Sequence, residues 1–250
     1  MWLFVLFLIR HRPDIEEKIK SAAPRRLSYS EYTEGGRDMM MNARFMVLCI
    51  LYAVPSKLIL TGAVFFLIPL AAEQFGANVA ETGRILMLYG IMIVLTGPLF
   101  ARFADKYHSF GLNIALGGVL SGIGLVTVVF LPGIASLAIA VAFIGLGQAM
   151  SIPSQLTYAL EVAEAEAEKH GAGMVLGIFR FVERVGSLLG PVLGAVLIGI
   201  AGITEALMIF GIYAIVSACL ASAFFLTFGP KDENRAIEEL LTGKPASQNA

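Results

Sequence analysis

The sequence predicts an all-α polytopic membrane protein with six transmembrane helices, and three observations predict it. Hydrophobic residues make up 57% of the 250 residues and charged residues 15%, with 26 glycines. That balance belongs to chains whose solvent is lipid and excludes an ordinary soluble domain. Six apolar runs reach the roughly 20 residues that a helix needs to cross the hydrocarbon core. The basic residues between those runs gather on one side. Lipid offers no partner to a free amide, so runs of this length are helices and not barrel strands.

In chain order, the segment 1–10, in MWLFVLFLIRHR, has no basic residue ahead of it and no small-residue cleavage site. It reads as the end of a truncated transmembrane helix and not as a signal peptide. Residues 11–44 mix charges with Pro, Ser and Gly and read as a cytoplasmic linker holding one short amphipathic helix. The six spans of the bundle, 45–228, are expected at about 45–70, 83–100, 112–131, 134–157, 173–201 and 205–228. Residues 229–250 are polar and read as a cytoplasmic tail. Arg44, Arg102, Lys106 and Lys169 share one side with the basic residues of linker and tail, and Arg84 is alone on the other. By the positive-inside bias both termini are cytoplasmic, in a cytoplasmic (inner or plasma) membrane.

The first span carries Lys57 near its middle, in AVPSKLILTG. A charge at that depth costs about 2.5 to 3.5 kcal/mol on insertion scales, so it belongs in a protein interior or a wet cavity. Thr61 lies one turn on, and Pro55 lacks the amide that would bond the carbonyl of Leu51, which allows a bend beside the lysine. In the second span Tyr89 and Thr96 are polar. In the fourth, Gln148, Ser151 and Gln155 share a helical face next to Pro153 and Ser154. The acidic loop EVAEAEAEKHG is helix-favouring, and its His170 is expected at the solvent with no proton role. In the fifth span Arg180 and Glu183 are three apart and can pair, with Arg184 beside them.

The two cysteines, Cys49 and Cys219, lie inside apolar runs and imply neither a disulfide framework nor a metal site. No phosphate loop, dinucleotide motif or nucleophile and base constellation appears, so no enzyme, cofactor or nucleic-acid partner is expected.

Two stretches resemble the major facilitator superfamily. GPLFARFADK, Gly97 to Lys106, is similar to the loop signature after the second helix of the family's six-helix repeat. Gly97, Leu99 and Arg102 fit it, Ala104 replaces the second glycine, Ala101 stands at the usual aspartate, and Asp105 is a shifted acid. GIFRFVERVGSLLGPVLGA resembles the glycine-rich antiporter signature, with Gly177, Gly186, Gly190, Pro191 and Gly194 in place and Ala195 for the last glycine. On a helix Glu183, Gly186, Gly190 and Gly194 form one stripe, which also suits ordinary close helix packing.

The resemblance covers about 45–228 and implies one repeat, the C-terminal six-helix half of a secondary transporter, with the substrate site between two halves at the midplane. Its partners would be a small solute, the other six-helix half and the lipid bilayer, and its mode alternating access, as an exporter or antiporter. Lys57, Thr61, Tyr89, Gln148, Ser151 and Gln155 would line the cavity. Lys57 would bind an anionic group, pair with a carboxylate of the other half, or belong to a structural ion pair. The polar face of the fourth span would touch substrate or hydrogen-bond between helices. Arg180, Glu183 and Arg184 would form a gate with Arg102, Asp105 and Lys106, or leave Glu183 to couple protons. The alternative is a sensory or scaffold membrane module built on the same repeat.

Overall fold

The computed structural model describes residues 29–107, 110–131 and 133–228. The expectations for residues 1–10, for the linker before Tyr29 and for the tail 229–250 lie outside the described residues. Every described element is helical. A short helix α1 (Tyr29–Met41) precedes the first span, α2 (Ala43–Gln74). Then follow α3 (Val79–Tyr107), α4 (Phe110–Phe130), α5 (Ile134–Val162), the short α6 (Glu164–His170), α7 (Ala172–Ala201) and α8 (Ile203–Phe228). Six of these are long and apolar enough to cross a membrane.

Local chemistry fixes the ends. Asn42 caps α2, its side chain accepting from the amide of Phe45. Asn78 and Glu81 form a reciprocal box at the start of α3, with Asn78 N–H to Glu81 Oε2 at 2.8 Å and Glu81 N–H to Asn78 Oδ1 at 2.9 Å. Gly171 and Gly202, with φ of 92° and 101°, make the breaks before α7 and α8 that a side chain would strain. The helices overrun the apolar runs at several ends because polar helix formers continue them. In α5 the helix reaches Val162 through TYALEV, and the acidic segment beyond it forms α6.

Within α2 two stretches, Cys49–Ala53 and Ile59–Leu67, widen to π geometry. Each is followed two residues later by a proline, Pro55 or Pro69. The amides of Val54 and Ile68 reach back five residues, to Cys49 and Ala63. A proline ring crowds the carbonyl four residues before it, and a wider turn relieves that clash.

The bundle is an arc. α4 lies between α5 and α8, α2 packs on α7 and α8, and α3 joins through α5. Two apolar cores form. One joins Leu58–Ala72 positions of α2 to Leu125, Leu137, Ile144 and Phe210. The other, at the end that carries α1 and α6, joins Met39, Phe45, Leu48, Tyr158, Phe179 and Phe225. The two arms of the arc are bare. The apolar stretch of α3 is 6% buried and that of α7 17%, against 61% for α2 and α5.

Candidate functional site: a charged seam and a polar waist

α7 meets α2 through glycine. Gly186, Gly190 and Gly194 are buried along one stripe, and Glu183 continues it. A Cβ on Gly190 would collide with the hydroxyl of Thr61 and lie 2.7 Å from the amide nitrogen of Gly62 and 2.8 Å from the carbonyl of Leu58. On Gly194 it would lie 2.9 Å from the ring of Phe66, and on Gly186 it would strike the backbone of Val54. The backbones touch because these positions have no side chain. Thr61 Oγ bridges the seam, within hydrogen-bond reach of the carbonyls of Lys57 at 2.9 Å and Ser187 at 3.0 Å. Gly177 lies off the stripe, exposed, where an added Cβ meets nothing, so it takes no part in this contact. Pro191 sits inside α7 beside the stripe and is partly buried.

The same approach brings two charges together. Lys57 Nζ lies 3.4 Å from Glu183 Oε1, with side-chain exposures of 15% and 5%. The other carboxylate oxygen, Oε2, accepts from Arg180 Nη1 at 2.6 Å, and the arginine side chain is 47% exposed. Both Lys57 and Glu183 stand near the middle of their helices. Glu183 begins ~17 Å along α7 at 1.5 Å per residue. A lone ammonium or carboxylate at that depth would carry the full insertion cost, and each here supplies the other's counter-charge. Lys57 therefore has its carboxylate within this chain. Arg184, next in sequence to the buried acid, is exposed.

A second polar region lies between the two apolar cores. Ser56 Oγ donates to Gln148 Oε1 at 3.1 Å, and Gln148 Nε2 donates back to the carbonyl of Ser56 at 3.2 Å. Ser151 Oγ donates to the carbonyl of Gly147 at 2.9 Å and reaches that of Ile114 at 3.4 Å. With Gln155, Ser121 and Ser217 these groups line a narrow cleft of about 20 Å³ between α2, α4, α5 and α8, room for about one water molecule. Among the described residues Gln155 Oε1 and both side-chain polar atoms of Asn113 are buried and find no hydrogen-bond partner. Gln148, Ser151 and Gln155 thus face the interior of the six-helix bundle, at 3%, 4% and 2% exposure. They do not share a surface with Lys57, because Ser56 and Lys57 point to different sides of α2.

A helical chain of six spans with bare outer arms and a charged crossing at mid-depth can be matched to known proteins. The family model of the Major Facilitator Superfamily matches residues 1–179 and again 58–247. The chain belongs to the Major Facilitator Superfamily. A search of curated proteins finds no match. Membership makes this chain a multi-pass membrane protein of a family of solute transporters.

In this superfamily chain the other expected residues are scattered. Tyr89 packs edge-on against Phe65, ring centroids 6.3 Å apart, and Thr96 Oγ donates to the carbonyl of Met92 at 2.6 Å on its own helix. Arg102 and Lys106 are exposed near the end of α3, whose last turns also hold Asp105. Among the described residues the ion-pair partners of Glu183 are Lys57 and Arg180. His170 differs from expectation: its side chain is 7% exposed and its Nε2 lies 2.9 Å from Asp38 Oδ2, which also accepts from Lys169 at 2.6 Å. α1 folds over α6 and shields the ring, while Asn42 Nδ2 donates to Glu166 Oε1 at 2.9 Å nearby.

Sequence reasoning missed Ser56, Asn113, Ser121 and Ser217, and with them the seam of α4 and α5. A signal existed there: Gly117 and Ser121 repeat the four-residue spacing of Gly147 and Ser151, a small-residue pattern that brings helices together. Among the described residues no group of three metal-ligating side chains stands together.

Proposed function

We propose that the chain is one six-helix half of a secondary active transporter that moves a small solute by alternating access, with both termini on the cytoplasmic side. The observation that carries this reading is the pairing of Lys57 with Glu183 at the glycine crossing of α2 and α7, next to a face of α7 that none of the described residues covers. A bare arm on either side, α3 and α7, suits an apposed second half with the solute path between them. The side bearing α1, α6 and most basic residues faces the cytoplasm.

Three features give the half its working parts. The π stretches of α2 on either side of Lys57 are places where the helix can bend without losing the rest of its ladder. Glycine contacts bring α7 onto the backbone of α2, so a slide or tilt of α7 has to pass only the side chains of Thr61 and Phe66 and the ion pair. Glu183 shares two cations, so a change of its partners or its proton alters the seam that joins the helices. We assign it the coupling role, with exchange of solute against ions as the mode the glycine stripe favours, and leave Arg102, Asp105 and Lys106 as the contact that closes the cytoplasmic end.

Reconstitution tests the reading. The chain alone in liposomes should show no solute flux under any gradient, and joining it to a second six-helix half should create flux that Glu183→Gln uncouples from the driving ion. Saturable uptake by a demonstrated monomer overturns the half-transporter assignment.

A further inference from the structure

We propose that Arg180 and Arg184 form an anion-recognition site on the bare face of α7. It would take a small solute bearing carboxylate or phosphate oxygens, with Glu183 as the internal counter-ion that the anion displaces from Arg180. The inference rests on the transporter reading, since it names the solute class of the same cavity.

Charge is the first argument. Between the ends of the six spans the chain carries Lys57, Arg180 and Arg184 against Glu183, so the cations outnumber the carboxylate. The bare stretch of α3 between Arg84 and Arg102 holds no charged residue, so α3 brings no acid to balance them. The excess is on the two arginines, because Lys57 is the less exposed cation and lies against Glu183.

Geometry is the second. Arg180 and Arg184 are four apart on one helix and therefore share a face, a rise of ~6 Å between them. That face is otherwise apolar, with Phe181, Leu188 and Val192 exposed along it. Arg180 spends one nitrogen, Nη1, on Glu183 and keeps the rest of a five-donor guanidinium for another partner. Arg184 is exposed, and among the described residues no ion pair holds it. Two guanidinium forks a turn apart fit the several oxygens of one anion. The two arginines stand about 12 and 18 Å along α7 from its start, on the face away from α2.

Exchange follows from a shared charge. An anion on the remaining donors of Arg180 competes with Glu183 Oε2 for the charge of that guanidinium, not for its donors, and so leaves Glu183 to Lys57 across the seam. Binding on the open face of α7 is thereby felt at its packed face, one side chain away.

The test uses the full chain in zwitterionic-lipid nanodiscs, with its thermal unfolding midpoint read against succinate, inorganic phosphate, choline and glucose at one ionic strength. Succinate or phosphate should raise the midpoint saturably while choline and glucose do not. Arg184→Gln should weaken that response about tenfold and Arg184→Lys less, since a point charge survives without the fork. Glu183→Gln should tighten it, because the competitor for Arg180 is gone, and Lys57→Met/Glu183→Leu gives the same reading if the single variant folds poorly. Equal responses to all four solutes, no response to either anion, or an unchanged response in Arg184→Gln overturns the site. A fall in the midpoint of Arg184→Gln with no anion response also overturns it and assigns the arginine to a carboxylate of an apposed chain. Anion binding needs no flux, so this result stands whichever way the liposome experiment falls.

Discussion

Of the helix pairs that approach through glycine, α4 against α5 and α2 against α7 fill the crossing differently. Between α4 and α5, a Cβ on Gly117 or on Gly147 would run into the carbonyl of the other, and the crossing is neutral. Its hydroxyls bond first to their own helices, Ser121 Oγ to Gly117 at 2.8 Å and Ser151 Oγ to Gly147 at 2.9 Å, with Ser151 reaching Ile114 of the other helix only at 3.4 Å. Between α2 and α7 the hydroxyl of Thr61 reaches across, and the stripe ends in Glu183 between Lys57 and Arg180. A neutral crossing with its groups satisfied locally has one good arrangement. A charged crossing has an arrangement that depends on which cation the acid holds. The first reads as a fixed joint and the second as one that can be switched.

The sharpest way to break this contrast is to remove the acid. Glu183→Leu strands the ammonium of Lys57 and should cost about 3 to 5 kcal/mol, whereas Lys57→Met/Glu183→Leu should recover most of it. Unfolding by SDS in mixed micelles measures both. A single variant as stable as the double would mean that the ion pair does not hold the seam.

Steric bulk should not distinguish the two crossings, because both rest on backbone contact. Gly190→Leu and Gly147→Leu should each lose at least about 1 to 3 kcal/mol in the same assay. Gly177→Leu, facing open space, should stay within about 0.5 kcal/mol of the parent. Tolerance at Gly190 with intolerance at Gly147 would show the charged seam to be the looser of the two.

Hydroxyl removal should sharpen the difference. Ser121→Ala and Ser151→Ala delete hydrogen bonds to their own helix and should cost no more than about 0.6 kcal/mol each. Solute flux, once established for the complete transporter, should survive both.

The smallest effect is expected far from either seam, where α1 meets α6. Hydrogen bonds from Lys169 and then His170 hold the Asp38 carboxyl below its ordinary 3.8, and Asp38 raises Lys169 above 10.5. A depressed carboxylate contributes above its unfolded value and loses that contribution as pH falls through the lower folded one. A raised lysine contributes below 10.5 and loses it as pH rises through the higher folded value. Amide exchange along α1 should therefore be slow across neutral pH and quicken toward both extremes. Asp38→Asn should quicken it at neutral pH without moving the exchange of α4 or α5.

By itself the sequence determined the class of fold and the depth of the charges. Apolar runs of spanning length leave a lipid-bound backbone no choice but helix, and Lys57, Glu183 and the glycine stripe are visible because each breaks the local composition. The stripe could be placed on one face from its spacing, since helical periodicity is a property of a single segment. What lay against that face could not, and the same limit hid the partner of Lys57, which is 126 residues away in Glu183. Gln148, Ser151 and Gln155 formed a legible polar face, but only packing decided that it turns inward against Ser56, Ser121 and Ser217. His170 passed for a solvent residue because nothing in its own acidic segment tells that α1 folds over it. Periodicity orients a residue within its helix. Which helix it then meets is set by how six apolar cylinders close around each other, and that depends on contacts far apart in the chain.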